Sequence, residues 1–280
     1  MRACLALSVP LLAAASVCVA NGPGDASATG PTEMRIASEL VVAGHDEPLA
    51  RSLTLFQDGV AWDFLESAPV GSAGTVAEIV LHDPARERVV VIDPVRHVKT
   101  QVDLIRLERL SVSLAKWARS HDDRLVRWAG GPDFSSGLNE GVGRMELSGP
   151  RAKYVVVHEP APTSEAAEQY RRFADAAILL KALLQPGGLP PYPRLAINER
   201  IAAAGGIPVE VALEIDPRLA VLGGPAERLR CTHRLHPRLL DGDIDRIEEA
   251  KGHVAVADEV PLAAYVHREA PDPRSTATMP

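Results

Sequence analysis

The chain has 280 residues, a formal net charge of −7 and three cysteines, length enough for one large domain or two small ones. Its charges are spread rather than blocked, which excludes the basic face that nucleic-acid binding needs. Cys4 and Cys18 fall near the N-terminus, so Cys231 stands alone and no disulfide framework is formed.

Met1-Arg2 followed by an apolar run to Ala20 reads as a signal peptide over 1–20, with small residues at Cys18-Val19-Ala20 for cleavage. The alternatives are an uncleaved anchor, at the lower length limit for a spanning helix, or lipidation at Cys18, which the bulky Val17 opposes. Residues 21–32 form a flexible polar segment, 33–268 a single domain, and 269–280 a disordered tail. No later run is long enough to span a membrane, because Ala176 to Leu180 is cut by Lys181.

The domain opens with strands. Met34, Ile36 and Leu40 alternate, and Arg51 to Phe56 is a second strand. Asp58-Gly59 predicts a hairpin, since both turn positions need positive φ. Val60, Trp62 and Phe64 then share one face, and a Gly/Ser loop spans Pro69 to Gly74. Val76 to Leu81, Arg88 to Ile92 and Val98 to Val102 form a meander turned by Asp83-Pro84 and Asp93-Pro94, where proline's fixed φ suits the second turn position. Asp103 caps a helix whose apolar stripe is Leu104, Leu107, Leu110, Leu114 and Trp117. Asp122 to Gly143 reads as loop.

Arg144 to Leu147 and Lys153 to His158 form another hairpin. Thr163 caps a second long helix striped by Tyr170, Phe173, Ala177, Leu180 and Leu184, and a shorter one covers Arg194 to Ala204. The strand Ile207 to Ile215 has an acidic outer face opposite the basic outer face of Leu229 to Leu235, so the two pair across a turn at Gly223-Gly224-Pro225. A last helix starts near Asp241 and runs through Ile247 to Ala250, and His253 to Ala257 adds an edge strand. The pattern predicts an α+β fold: a large curved antiparallel sheet with helices covering its concave face.

Catalytic and metal signatures are sparse. Cys231 and His233 share a strand face with His236 nearby, a partial zinc set that lacks paired ligand spacing. Asp241, Asp243 and Asp245 begin like a calcium loop, but Arg246 and Gly252 stand where glycine and glutamate are required. His45-Asp46-Glu47 and His158-Glu159 sit at turns, where polar residues are ordinary. No nucleophile elbow, P-loop or dinucleotide fingerprint occurs, and no cofactor or metal is expected.

The segments Phe56-Gln-Asp-Gly-Val-Ala-Trp-Asp-Phe64, Glu78-Ile-Val-Leu-His-Asp-Pro and Val89-Val-Val-Ile-Asp-Pro resemble the LolA/LolB-like, lipoprotein-sorting-protein-like families over about residues 34–102. The resemblance implies an incomplete barrel with a hydrophobic cavity that holds acyl chains. The expectation is a non-enzymatic, exported envelope protein, periplasmic or extracellular. It would bind a hydrophobic small molecule, lipid or lipoprotein through Trp62, Phe64, Leu107, Leu114, Trp117, Tyr170 and Phe173. The alternatives are a structural or interaction module with no ligand, and a metal-dependent or other hydrolase.

Overall fold

Alternating apolar residues and tight turns assemble one sheet of twelve strands. The structure, a computed structural model, describes residues 32–44, 47–67, 75–133, 138–215 and 227–267. The strands are β1 (Met34–Val42), β2 (Ala50–Gln57), β3 (Val60–Ser67), β4 (Thr75–Asp83), β5 (Arg88–Asp93), β6 (Val98–Asp103), β7 (Leu138–Gly141), β8 (Arg144–Ser148), β9 (Ala152–Pro160), β10 (Gly206–Ile215), β11 (Glu227–His236) and β12 (Asp258–Glu259). The helices among the described residues are α1 (Leu104–Arg119), α2 (Arg124–Ala129), α3 (Ser164–Leu184), α4 (Tyr192–Ala203), α5 (Asp241–Val256) and α6 (Leu262–Val266), with a 3₁₀ turn at Pro84–Arg86.

The spatial order is β12-β6-β5-β4-β3-β2-β1-β11-β10-β9-β8-β7. Two meanders, β1 to β6 and β7 to β11, therefore meet along one seam where β1 pairs antiparallel with β11, Ser38 opposite His233. Every pairing among the described strands is antiparallel except β12 on β6. The fold class is as expected: α+β, with one large antiparallel sheet that does not close into a barrel. Bulges at Ala77 of β4, opposite Leu65 and Glu66 of β3, and between Pro208 and Glu210 in β10 bend it locally. The second bulge interrupts the clean alternation expected of β10, leaving Val209 without a partner on β9.

The turn chemistry reads through. Asp58 and Gly59 have φ of 53° and 78°, as a two-residue hairpin with both central residues left-handed requires. The Asp93 carboxylate accepts from the backbone N–H groups of Val95 and Arg96 at 3.1 and 2.9 Å, and Asp83 does the same for Arg86 at 3.2 Å. Each Asp-Pro turn closes on a left-handed residue, Glu87 or His97. The Thr163 hydroxyl caps α3 by accepting from Ala166 N–H. The acidic and basic outer faces of β10 and β11 meet as Glu214–Arg228 at 3.0 Å and Glu210–Arg230 at 4.0 Å.

Several expectations are corrected. The interval from Asp122 to Gly143 contains α2, capped by the Asp123 carboxylate, and the short strand β7. His253 to Val256 is the last turn of α5, and the edge strand is instead Asp258–Glu259. Asp103 stands at the N-cap of α1, but its side chain makes no cap bond. The buried row of α1 is Leu107, Ala115 and Ala118 rather than a run of leucines. The turns at Pro69 to Gly74 and Gly223 to Pro225 lie outside the described residues.

Helices lie against both faces of the sheet. On one, α3 packs Tyr170, Phe173 and Ala174 on Met34, Ile36, Phe56 and Ala61. Beside it, Leu107 of α1, Leu180 of α3 and Tyr265 of α6 pack on Val80, Val89, Val91 and Val102, and α4 sets Ile197 and Ile201 on Met145, Leu147 and Val156. On the other face, α5 supplies Ile247 and Ala250, with Ala257 following it.

Candidate ligand-binding surfaces

The α5 face is built by strand parity. Leu53 and Leu55 of β2, Trp62 and Phe64 of β3, Ile79 and Leu81 of β4, and Val90 and Ile92 of β5 all point to it. The registers stack them side by side, Leu55 opposite Trp62, Trp62 opposite Leu81, and Leu81 opposite Val90. Helix α5 crosses this array. It is held at its start by Arg35, whose Nε lies 3.3 Å from the Asp243 carboxylate, and by that carboxylate accepting Leu240 N–H at 2.9 Å. Near its end the Lys99 ammonium donates to the Val254 carbonyl.

A cleft opens on each side of α5. The first, about 300 Å³, is lined by Phe64, Val76, Ile79, Pro94 and Val95 from the sheet and by Arg246, Glu249, Ala250 and His253 from the helix. The second, about 320 Å³, has Val60, Trp62, Leu81 and Val254 as its apolar part, and Gln57, Asp58, Asp83, Arg86, Arg88 and Lys251 as its polar part.

The α3 face carries polar groups among its apolar ones. Ser38 Oγ is 2.8 Å from His233 Nδ1, and the Thr54 hydroxyl donates to the Asp63 carboxylate at 2.8 Å. Burial pushes the Asp63 carboxyl above the usual range, against the lowering effect of Thr54 and Ser52. Burial also drives the imidazoles of His82 and His233 down to about 4, helped by Arg172 and Arg194 respectively, and the Tyr170 phenol up to about 12. Both imidazoles and the phenol are thereby held neutral near pH 7, a property of packed polar side chains rather than of an exposed reactive centre. Beside His82, a cavity of about 30 Å³ lined by Phe56, Ala61, Gln169 and Arg172 is roomy enough to hold water.

The seven residues expected to line one ligand cavity are divided between the faces. Trp62 and Phe64 lie under α5. Tyr170, Phe173 and Leu107 are buried on the α3 side, where the Phe173 ring meets the edge of Phe56 at 5.6 Å. Leu114 is half-buried on α1, and Trp117 is 49% exposed, packed against His121. Cys231 and His233 share the α3 face, whereas His236 is exposed on the opposite face of β11, and among the described residues no three His, Cys, Asp or Glu are grouped to hold a metal. Asp243 is buried against Arg35 while Asp241 and Asp245 are exposed, so the three form a helix start and not a calcium loop. His45 and Asp46 lie outside the described residues.

No protein-family model matches the chain, and no curated protein matches it. Among solved structures it is similar to a LolA superfamily protein from Nitrosomonas europaea, at 11% identity over 77% of this chain and 89% of that one, with a TM-score of 0.25. No described helix is long and apolar enough to cross a membrane.

The lining residues that sequence reading missed are Ile79, Leu81, Ala250 and Val254. A signal for the strand pair was present: once Asp58-Gly59 fixes the β2–β3 register, Leu53 and Leu55 fall in phase with Trp62 and Phe64, and the next hairpins extend the row. The helix partners carried none: a single alanine such as Ala250 fits either face, and Val254 lies in the stretch read as an edge strand rather than as the end of α5.

Proposed function

We propose that this is an exported, non-enzymatic envelope protein that holds a hydrophobic ligand, or the acyl group of a lipidated partner, between its open sheet and α5. One observation carries the reading: eight apolar side chains on one sheet face are met from α5 by Ile247, Ala250 and the half-buried Val254, with Ala257 just past the helix, and clefts of about 300 and 320 Å³ remain. Volumes of this size stand at the lower end of ligand pockets. Burying an alkyl chain there gains about 0.8 kcal/mol per methylene, so about five methylenes supply about 4 kcal/mol. Trp62 and Phe64 form the floor, and Tyr170, Phe173 and Leu107 support the opposite side of the sheet. The apolar run at 3–20 supports export.

The test is native mass spectrometry of the protein recovered from the periplasm without detergent. A lipid-sized adduct that is lost in Phe64→Trp, which fills the first cleft, is the expected result. A chain that carries no adduct and takes up no alkyl ligand when titrated would sink the reading.

A second reading, an interaction module with no ligand, is favoured by Ile105 and Val112, 50% and 72% exposed and one heptad apart on the outer side of α1. The same spectra decide it, since it predicts a defined oligomer in place of an adduct.

A further inference from the structure

We propose that the cleft beside Lys251 takes an anionic amphiphile, a single acyl chain that ends in a carboxylate or phosphate. The inference rests on the hydrophobic-ligand reading and names the ligand's charge. The cleft has two unlike parts. Val60, Trp62, Leu81 and Val254 form an apolar floor, and Arg86, Arg88 and Lys251 stand around it with Asp58 and Asp83.

The three cations are not matched by the two carboxylates. Asp83 is buried and shared: Arg86 Nη1 is 2.8 Å from its Oδ2, and Arg88 Nε is 3.6 Å from the same oxygen, beyond hydrogen-bond reach. The Arg88 Nε is itself buried with no hydrogen-bond partner, and Nη1 of the same guanidinium donates to the neutral Gln101 side chain at 3.2 Å. Of the cleft's own carboxylates, one therefore faces two guanidiniums; Asp103, opposite Arg88 on β6, is exposed and screened by water. Asp58 is at the exposed tip of the β2–β3 hairpin, where water screens it. Lys251 pairs with Glu248 one turn away on α5, and the Glu248 side chain is 63% exposed, the setting in which an ion pair holds its partner weakly.

An anion at the mouth would face the guanidinium of Arg88 and the ammonium of Lys251 while its chain lay on Trp62 and Leu81. A guanidinium fork suits a carboxylate or phosphate, and the half-buried position strengthens the contact. The first cleft offers no such contrast. Its Arg246 is balanced by Glu249 in the same lining and lies 3.9 Å from Glu66.

The experiment is calorimetric titration of the full exported protein at pH 8 with laurate, dodecyl phosphate, dodecanol and dodecylamine. Laurate or dodecyl phosphate should bind about tenfold or more tightly than dodecanol, and dodecylamine should bind most weakly. The ratio of the first two identifies the headgroup. Arg88→Gln and Lys251→Gln should each cut the anion's affinity about tenfold and leave dodecanol unchanged, Arg88→Lys should keep most of the preference, and Arg109→Gln on the exposed side of α1 should behave as the wild type. Lys251 is largely outside the core, so Lys251→Gln reads the charge even where Arg88→Gln disturbs folding. Equal affinity for laurate and dodecanol would overturn the inference while leaving hydrophobic binding in place. An anion preference that survives the double Gln variant would also overturn it. Failure of every dodecyl compound to bind overturns this inference together with the reading on which it rests.

Discussion

His82 shows what a single buried side chain does to this molecule. It is 5% exposed on the α3 face, its ring 6.4 Å from that of Phe173, and burial holds its pKa at about 4. The unfolded chain takes up a proton near pH 6.5, whereas the folded chain resists until about pH 4, so the unfolded state binds more protons in between. The stability His82 supplies is complete above pH 6.5 and is lost as pH falls toward 4, by about 3 kcal/mol. His233, also held at about 4, acts in the same window. Urea titrations at pH 4.5 and 7.5 should show this loss in the wild type and a visibly smaller one in His82→Gln; an unchanged difference would show that His82 is not the group involved. Nothing local in Val80-Leu81-His82-Asp83 announces this, because burial of an individual histidine is decided by the helix laid over it. What was legible at this scale was backbone chemistry: Asp58-Gly59, the two Asp-Pro turns and the Thr163 cap each act within a few residues.

Among the elements, α5 is the one held by least. Its N-cap residue, Leu240, has no cap acceptor, so the Asp243 carboxylate both takes the Leu240 N–H and faces Arg35. Asp243→Ala should remove both contacts and leave Arg35 half-buried without its counter-ion, a loss of about 2 to 3 kcal/mol in urea unfolding. Hydrogen exchange of the same variant should show α5 amides opening well before those of β3 to β5, because the sheet keeps its ladder when the helix lifts. Uniform loss of protection would mean that α5 and the sheet open as one unit. The periodic elements were legible because each spans several repeats of its own period. The six-residue α2, the two-residue β12 and the five-residue α6 were not, since elements that short are fixed by capping and by strands distant in sequence.

Across the whole molecule, the residues from Leu239 onward decide whether one sheet face meets water. Leu239, α5 and Ala257 pack on the Trp62–Phe64 array, while β12 pairs along β6. A chain stopped after Leu239 should therefore expose the array, together with the patch that Tyr265 covers on the other face, bind a hydrophobic dye strongly and leave the monomer peak in gel filtration. A monomer with wild-type dye binding would show that the array is covered by something else. The class of fold was legible because the tally of short strands with tight turns allows little besides an antiparallel sheet. The assignment of Trp62 and Phe64 to the same space as Tyr170 and Phe173 was not, since it depended on which face each helix would choose.

The seam between the two meanders gives this chain a timetable. Ser38 and His233 touch across it although 195 positions separate them. During synthesis β1 emerges early, and its second neighbour emerges near the end. For nearly the whole interval β1 is an uncapped strand with one row of backbone donors and acceptors open to any passing strand, its own copy included. Ser38, a polar side chain between Ile36 and Leu40 on one face, and Arg35 and Glu39 on the other make that waiting edge less adhesive until β11 arrives to close it.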